Sequence, residues 1–322
     1  MKTPSLFALV SIIGLPLLSA AKREADGVNV ARYFAVEVDG QSAGFTQNVS
    51  GGTVKGELIE TEVPAGHTIR TEKQVGEIIV EPLTLNIGMR QTEPLLDWIK
   101  ASFDYPAATR DLTVISDVPF GPFTRRELGD ALISSVSFPA MDGSSKDPCY
   151  MTVNIDPTTI QFEPGRAANQ RAARRAARAQ QKKWLCSNFK FELGDLPGDR
   201  VAKIDSFTWK QDVVRDELGD FREPTKVEIP NLKITISMDD VEAWADWYRC
   251  FVIDGQCTDA DELSGSITFL APDQSEELGS IDLDHVGIIS LEQEASEANK
   301  DSASRFVVEL YVEEMRFEAV AN

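Results

Sequence analysis

The chain has 322 residues, of which 42% are hydrophobic and 26% charged, with 52 acidic against 32 basic residues and a net charge of −20. This is the composition of a folded protein of about two domains and not of a disordered one. So acidic a surface repels phosphate and excludes direct nucleic-acid recognition as the main task.

The first element is an apolar N-terminus. Lys2 precedes the apolar run Leu6–Leu18, and the small residues Ser19-Ala20-Ala21 follow. This layout predicts a secretory signal peptide over residues 1–21. The run is shorter than a comfortable bilayer span, so no stable membrane span is expected after cleavage. The competing reading is a retained anchor.

The first half then reads as strands around one helix. YFAVEVD (33–39) alternates as a half-buried strand does. A polar strand or hairpin follows in GFTQNVSGGTVKGELIE (44–60). IIVEPLTLNIG (78–88) is extended, with Pro82 marking a strand start or edge. TEPLLDWIKASF (92–103) is a helix whose Leu95, Trp98 and Ile99 share a face. DLTVIS (111–116) and the segment 131–163 supply further strands, the last ending at Phe162-Glu163.

Residues 164–183, PGRAANQRAARRAARAQQKK, carry seven bases and no acid, so the rest of the chain sums to −27. On a helical wheel Arg171, Arg174, Arg175, Arg178 and Lys182 fall within one arc of about 100°. The run reads either as a flexible solvated linker or as a one-sided basic helix whose arginines dock on an acidic surface of the same or a neighbouring subunit. It lacks the large apolar residues of a membrane-surface helix.

The same order of elements then recurs. NFKFEL (188–193) matches 33–39, and KIDSFTWKQDVVRDELG (203–219) follows it. VEIPNLKITIS (227–237) matches 78–88, with Pro230 in place of Pro82. MDDVEAWADWYRCF (238–251) matches the helix and keeps a tryptophan, Trp244. GSITFLA (265–271) and 282–318 complete the set, ending at Phe317-Glu318. The expectation is a mainly β protein of two tandem domains, 28–163 and 185–320, each with one flanking helix and joined by a linker at 164–184.

Four cysteines permit disulfides in an exported chain. Pairing Cys250 with Cys257 across the short loop CFVIDGQC leaves Cys149 with Cys186, though spacing alone permits other connectivities. Asp254, Asp259, Asp261 and Glu262 form an acidic loop that reads either as solvated surface or as a calcium candidate without EF-hand spacing. No Gly-x-Ser-x-Gly, His-Glu-x-x-His or phosphate loop occurs, and the two histidines, His67 and His285, do not share a repeat position. Neither a catalytic set nor a cofactor is expected.

The repeated unit resembles the tail tube proteins of contractile phages and of phage-like injection systems. The carrying stretches are YFAVEVDGQSAGFTQNVSG (33–51), IIVEPLTLNIGMRQTEPLLDWIKASF (78–103) and SSVSFPAMDG … MTVNIDPTTIQFE (134–163). Leu83, Leu85, Gly88, Leu95 and Trp98 occupy the family's places. Leu232, Ile234, Ile236, Val241 and Trp244 do so in the second half, with Ser237 in place of the glycine. The resemblance implies a β-sandwich or barrel with a flanking helix, rings of six such domains, and stacked rings forming a hollow tube. Three two-domain chains would then make one ring, with segments 49–77 and 210–226 bridging rings. A signal peptide and a tandem arrangement depart from the family's cytoplasmic, single-domain members. They point to a secreted, non-enzymatic tube or filament subunit whose partner is itself. The alternatives are a tail tube component of a phage or injection particle, sited in a virion tail with its N-terminus retained, and a secreted ligand-binding module.

Overall fold

The computed structural model describes residues 34–46, 48–89, 91, 93–105, 108–116, 124–164, 184–214, 226–294 and 305–320. The signal-peptide segment 1–21 and the basic residues Arg171, Arg174, Arg175, Arg178 and Lys182 lie outside them.

The described chain is mainly β and antiparallel. The first half contributes β1 (Phe34–Val38), β2 (Gln41–Thr46), β3 (Asn48–Gly51), β4 (Val54–Ala65), β5 (Thr68–Val80) and β6 (Leu83–Ile87). Helix α1 (Glu93–Asp104) follows, then β7 (Thr109–Ser116), β8 (Thr124–Phe138), β9 (Met141–Asp142), β10 (Met151–Asp156) and β11 (Thr159–Pro164). The second half contributes β12 (Phe189–Leu193), β13 (Lys203–Ile204), β14 (Phe207–Gln211), β15 (Val227–Glu228) and β16 (Leu232–Ser237). A 3-10 turn (Met238–Asp240), α2 (Val241–Tyr248) and a π-helical turn (Arg249–Ile253) then lead to β17 (Leu263–Leu270), β18 (Glu277–Gln293) and β19 (Arg305–Ala319).

Period-two alternation builds the core strands. Leu83, Leu85 and Ile87 of β6 are buried, as are Met151, Val153 and Ile155 of β10, while the residues between them are partly exposed. Each helix drops one tryptophan into the core. The Trp98 indole donates to the Ala108 carbonyl at 2.8 Å, and the Trp244 indole to the Pro197 carbonyl at 3.2 Å. Burying an indole this way satisfies its N–H while removing a large apolar area from water.

The two large sheets share one plan. In the first, β1, β7, β8, β10 and β6 stand side by side in that order; in the second, β12, β17, β18, β19 and β16 do. Irregularities recur 155 positions on. Asp130 (φ 44°) and His285 (φ 53°) are left-handed residues on the long strands β8 and β18, and Asp39 (φ 50°) and Gly194 (φ 51°) hold the turns after β1 and β12. The ladder of β8 with β10 shifts register at Asn154/Ile155, and that of β18 with β19 at Ile288/Ser290. Bulges of this kind bend a strand and fix its twist, so the two sheets curve at matched places.

The sheets do not part cleanly at the linker. β9, from the first half, ends the second sheet, and β14 and β15, from the second half, belong to the first. One continuous cluster of buried side chains spans both halves. A disulfide joins Cys149 to Cys186, as expected, with Cα atoms 5.0 Å apart. Main-chain hydrogen bonds from Cys149 to Trp184 and from Cys186 to Asp147 flank it. The second expected bridge is not formed: Cys250 and Cys257 are free and exposed. The Cys250 carbonyl accepts from the Gln256 amide at 3.0 Å, and the Cys257 thiol lies 3.7 Å from the Gly255 carbonyl. The loop is thus closed by its backbone, and the Cys257 sulfur turns back on its own turn.

Candidate assembly interface

The halves meet along an antiparallel ladder. Phe138, Ser137, Val136 and Ser135 of β8 pair with Phe207, Thr208, Trp209 and Lys210 of β14. After a shared break of two residues, Met141 and Asp142 of β9 pair with Ile204 and Lys203 of β13 in the same register. Around the break both segments step from one sheet to the other together. β8 can accept β14 because its other neighbour on that side, β7, has ended its ladder at Leu132.

Side chains fasten this seam. Phe138 and Phe207 stack with centroids 5.0 Å apart, and Phe138 also approaches Phe269 and Phe317 of the second sheet. Trp209 stacks on Phe103 of α1 at 4.5 Å. Thr208 donates to the Ser137 hydroxyl at 2.9 Å, and the buried Gln211 amide donates to the Ile133 carbonyl. At the edge of α1, Lys100 pairs with Glu318 at 2.5 Å, which raises the lysine's pKa. Both partners are more than a third exposed, so this pair orients more than it stabilises.

Among the described residues, both participants have counterparts that lack such a partner. The hairpin β13–β14 against β15–β16 corresponds to β3–β4 against β5–β6. In the first, Thr235 faces Lys203 and Glu228 faces Lys210; in the second, Asn86 faces Asn48 and Ile79 faces Lys55. β13 is flanked by β16 and β9, whereas among the described residues β3 ends its sheet beyond β6. On the other side, Ser290–Gln293 of β18 corresponds to Ser135–Phe138 of β8. β17 has left β18 by Val286, and among the described residues only β19 pairs with that stretch.

Exposure follows the same rule. Trp209 is 1% exposed and its counterpart Val54 40%; Phe317 is 0% exposed and its counterpart Phe162 54%. Segment 49–77, expected as a bridging loop, holds the end of β3 and most of the exposed two-stranded hairpin β4–β5, in which Leu58, Ile69, Val75 and Ile78 are open to solvent. The expected loop 210–226 starts in β14, and residues 215–225 of it are outside the description. Sequence reasoning missed the seam, although the alternating FTW of 207–209 carried its signal.

The acidic loop does not stay together. Asp261 accepts from the backbone and hydroxyl of Thr258, which lowers its pKa, while Glu262 turns away to His285 and Tyr311. No described helix is long and apolar enough to cross a membrane.

No protein-family model matches the chain, and no curated protein matches it. Among solved structures it is similar to parts of contractile injection systems. One is a chain of the sheath–tube complex of an extracellular contractile injection system, PVC, in the extended state, with 17% identity, a TM-score of 0.33, and coverage of 41% of this chain and 89% of that one. The sheath/tube terminator of the same kind of system gives 19% identity, a TM-score of 0.33 and coverage of 40% and 92%. The tube-terminating cap of the anti-feeding prophage gives 17%, 0.34, 41% and 89%.

Proposed function

We propose that the protein is a structural, non-enzymatic subunit that assembles with copies of itself, outside the cell, into a hollow tube or filament. The chain is a tandem repeat, and its internal seam is the template for the contact between chains. In that contact β3–β4 of one copy lies where β13–β14 lies within the chain, against the open stretch of β18 in the next copy. The register carries over as Lys55 facing Ser290 and Val54 facing Leu291.

The observation that carries this reading is that β8 over 135–137, β13 and β14 have a neighbouring strand on both sides, whereas among the described residues their counterparts, β18 over 290–293, β3 and β4, have one on a single side. Unpaired edges recruit strands, and a head-to-tail contact between identical chains closes into a ring or propagates as a filament. The exposure of Val54 and Phe162, against the burial of Trp209 and Phe317, supplies the apolar area that such a contact would remove from water. Three chains would present six equivalent sheets, the count that the sequence resemblance implies. The exposed hairpin β4–β5 would then reach along the tube axis to a neighbouring ring.

The test is the assembly state of the purified mature chain across salt concentrations, by mass photometry and negative-stain microscopy. Discrete trimers or stacked rings are expected. A monodisperse monomer under every condition would exclude the reading.

A further inference from the structure

Glu262, His285 and Glu313 converge beside the start of β17, where Leu263 pairs with Val286 of β18. The Glu262 side chain is 7% exposed, and its Oε2 lies 2.8 Å from the His285 Nδ1. Its other oxygen, Oε1, accepts from the Tyr311 hydroxyl at 2.6 Å. Tyr311 reaches it by lying across Gly287, where a Cβ would stand 2.2 Å from the ring. The left-handed backbone of His285 turns its imidazole towards Glu262, and Glu313 comes from the facing strand β19. One oxygen of each carboxylate and one imidazole nitrogen lie within 4.8 Å of one another.

We propose that these three residues hold one divalent transition-metal ion of the zinc class. Zinc takes both imidazole and carboxylate ligands, and a site with three protein ligands leaves its fourth position to water. Calcium is disfavoured, since it prefers six to eight oxygens and seldom takes imidazole. Tetrahedral bonds of about 2.0–2.2 Å place ligand atoms roughly 3.3 Å apart. Glu262 and His285, 2.8 Å apart, thus have to open by about half an ångström for tetrahedral ligation. The Tyr311 hydroxyl is the outer partner that orients the buried carboxylate, a role that tunes metal affinity in such sites. The ion would pin the start of β17 to both β18 and β19. The site stands whether or not the chain assembles.

The measurement is zinc titration by calorimetry at pH 7.5, with cobalt substitution followed by absorption spectroscopy. The full mature chain is used with Cys250→Ser and Cys257→Ser, so that the exposed thiols cannot supply ligands. One ion per chain is expected. Glu262→Gln and His285→Asn should each weaken binding at least tenfold, and Tyr311→Phe roughly tenfold. Asn is chosen because it tolerates the left-handed backbone. Circular dichroism of each metal-free variant checks the fold; if Glu262→Gln fails to fold, His285→Asn and Glu313→Gln decide. Absence of binding, or equal affinity in the ligand variants, would overturn the proposal.

Discussion

Glu262 shows how far a single side chain's setting departs from its sequence neighbourhood. The sequence groups it with Asp254, Asp259 and Asp261; the fold buries it and hands it to His285 and Tyr311. Its hydrogen bond is the main reason that the His285 pKa is raised, with Glu313 and Glu314 adding to the effect against some desolvation. The folded-state value thus lies above the unfolded value near 6.5. The stabilisation is full below that pH and lost as pH rises through the raised value. Glu262→Gln should return the His285 titration, followed by NMR, towards the ordinary imidazole range; an unmoved titration would show that another group sets it. The pair Phe317 and Phe162 tests the matched positions. Phe317→Ala should cost about 3–5 kcal/mol in chemical denaturation, as for other core aromatics. Phe162→Ala should change monomer stability by well under 1 kcal/mol and yet weaken self-association.

Elements were legible where their signal was local. Alternation placed β1, β6, β10 and β12, and the Leu95, Trp98, Ile99 face placed α1, since these patterns reflect one buried side of one segment. Pro82 and Pro230 do stand just before β6 and β16. The exchange of β9 and β14 between the sheets was not legible, because which edge a strand chooses depends on where its neighbour stops. β7 ends its ladder with β8 at Leu132, and that leaves the edge which β14 fills. The Cys149–Cys186 bridge acts at this scale too. It closes a span of 37 residues, and loop-closure entropy assigns it about 4 kcal/mol against the unfolded chain. Cys149→Ser with Cys186→Ser should lower stability by about 2–5 kcal/mol in a denaturant titration. Thiol titration of the native, unreduced protein should count two reactive groups, Cys250 and Cys257; a count of zero would show that they pair in solution.

At the scale of the whole molecule, the two large sheets share an order of strands but differ, among the described residues, in which edges are paired. The net charge of −20 makes contacts between copies sensitive to salt. The basic run falls outside the described residues, and its proposed docking role is open to a separate test. Arg174, Arg175 and Arg178 changed together to Glu should weaken assembly most at low salt; unchanged assembly would remove that role. The edge-to-edge contact itself is tested most directly by a cysteine cross-link. With Cys250→Ser and Cys257→Ser as background, Val54→Cys and Leu291→Cys are combined in one chain and oxidised at assembling concentration. Covalent dimers and trimers are expected on a non-reducing gel, absent when either cysteine is alone or when the partner cysteine is moved one residue along β18. Monomer throughout, or cross-linking indifferent to that one-residue shift, would contradict that contact.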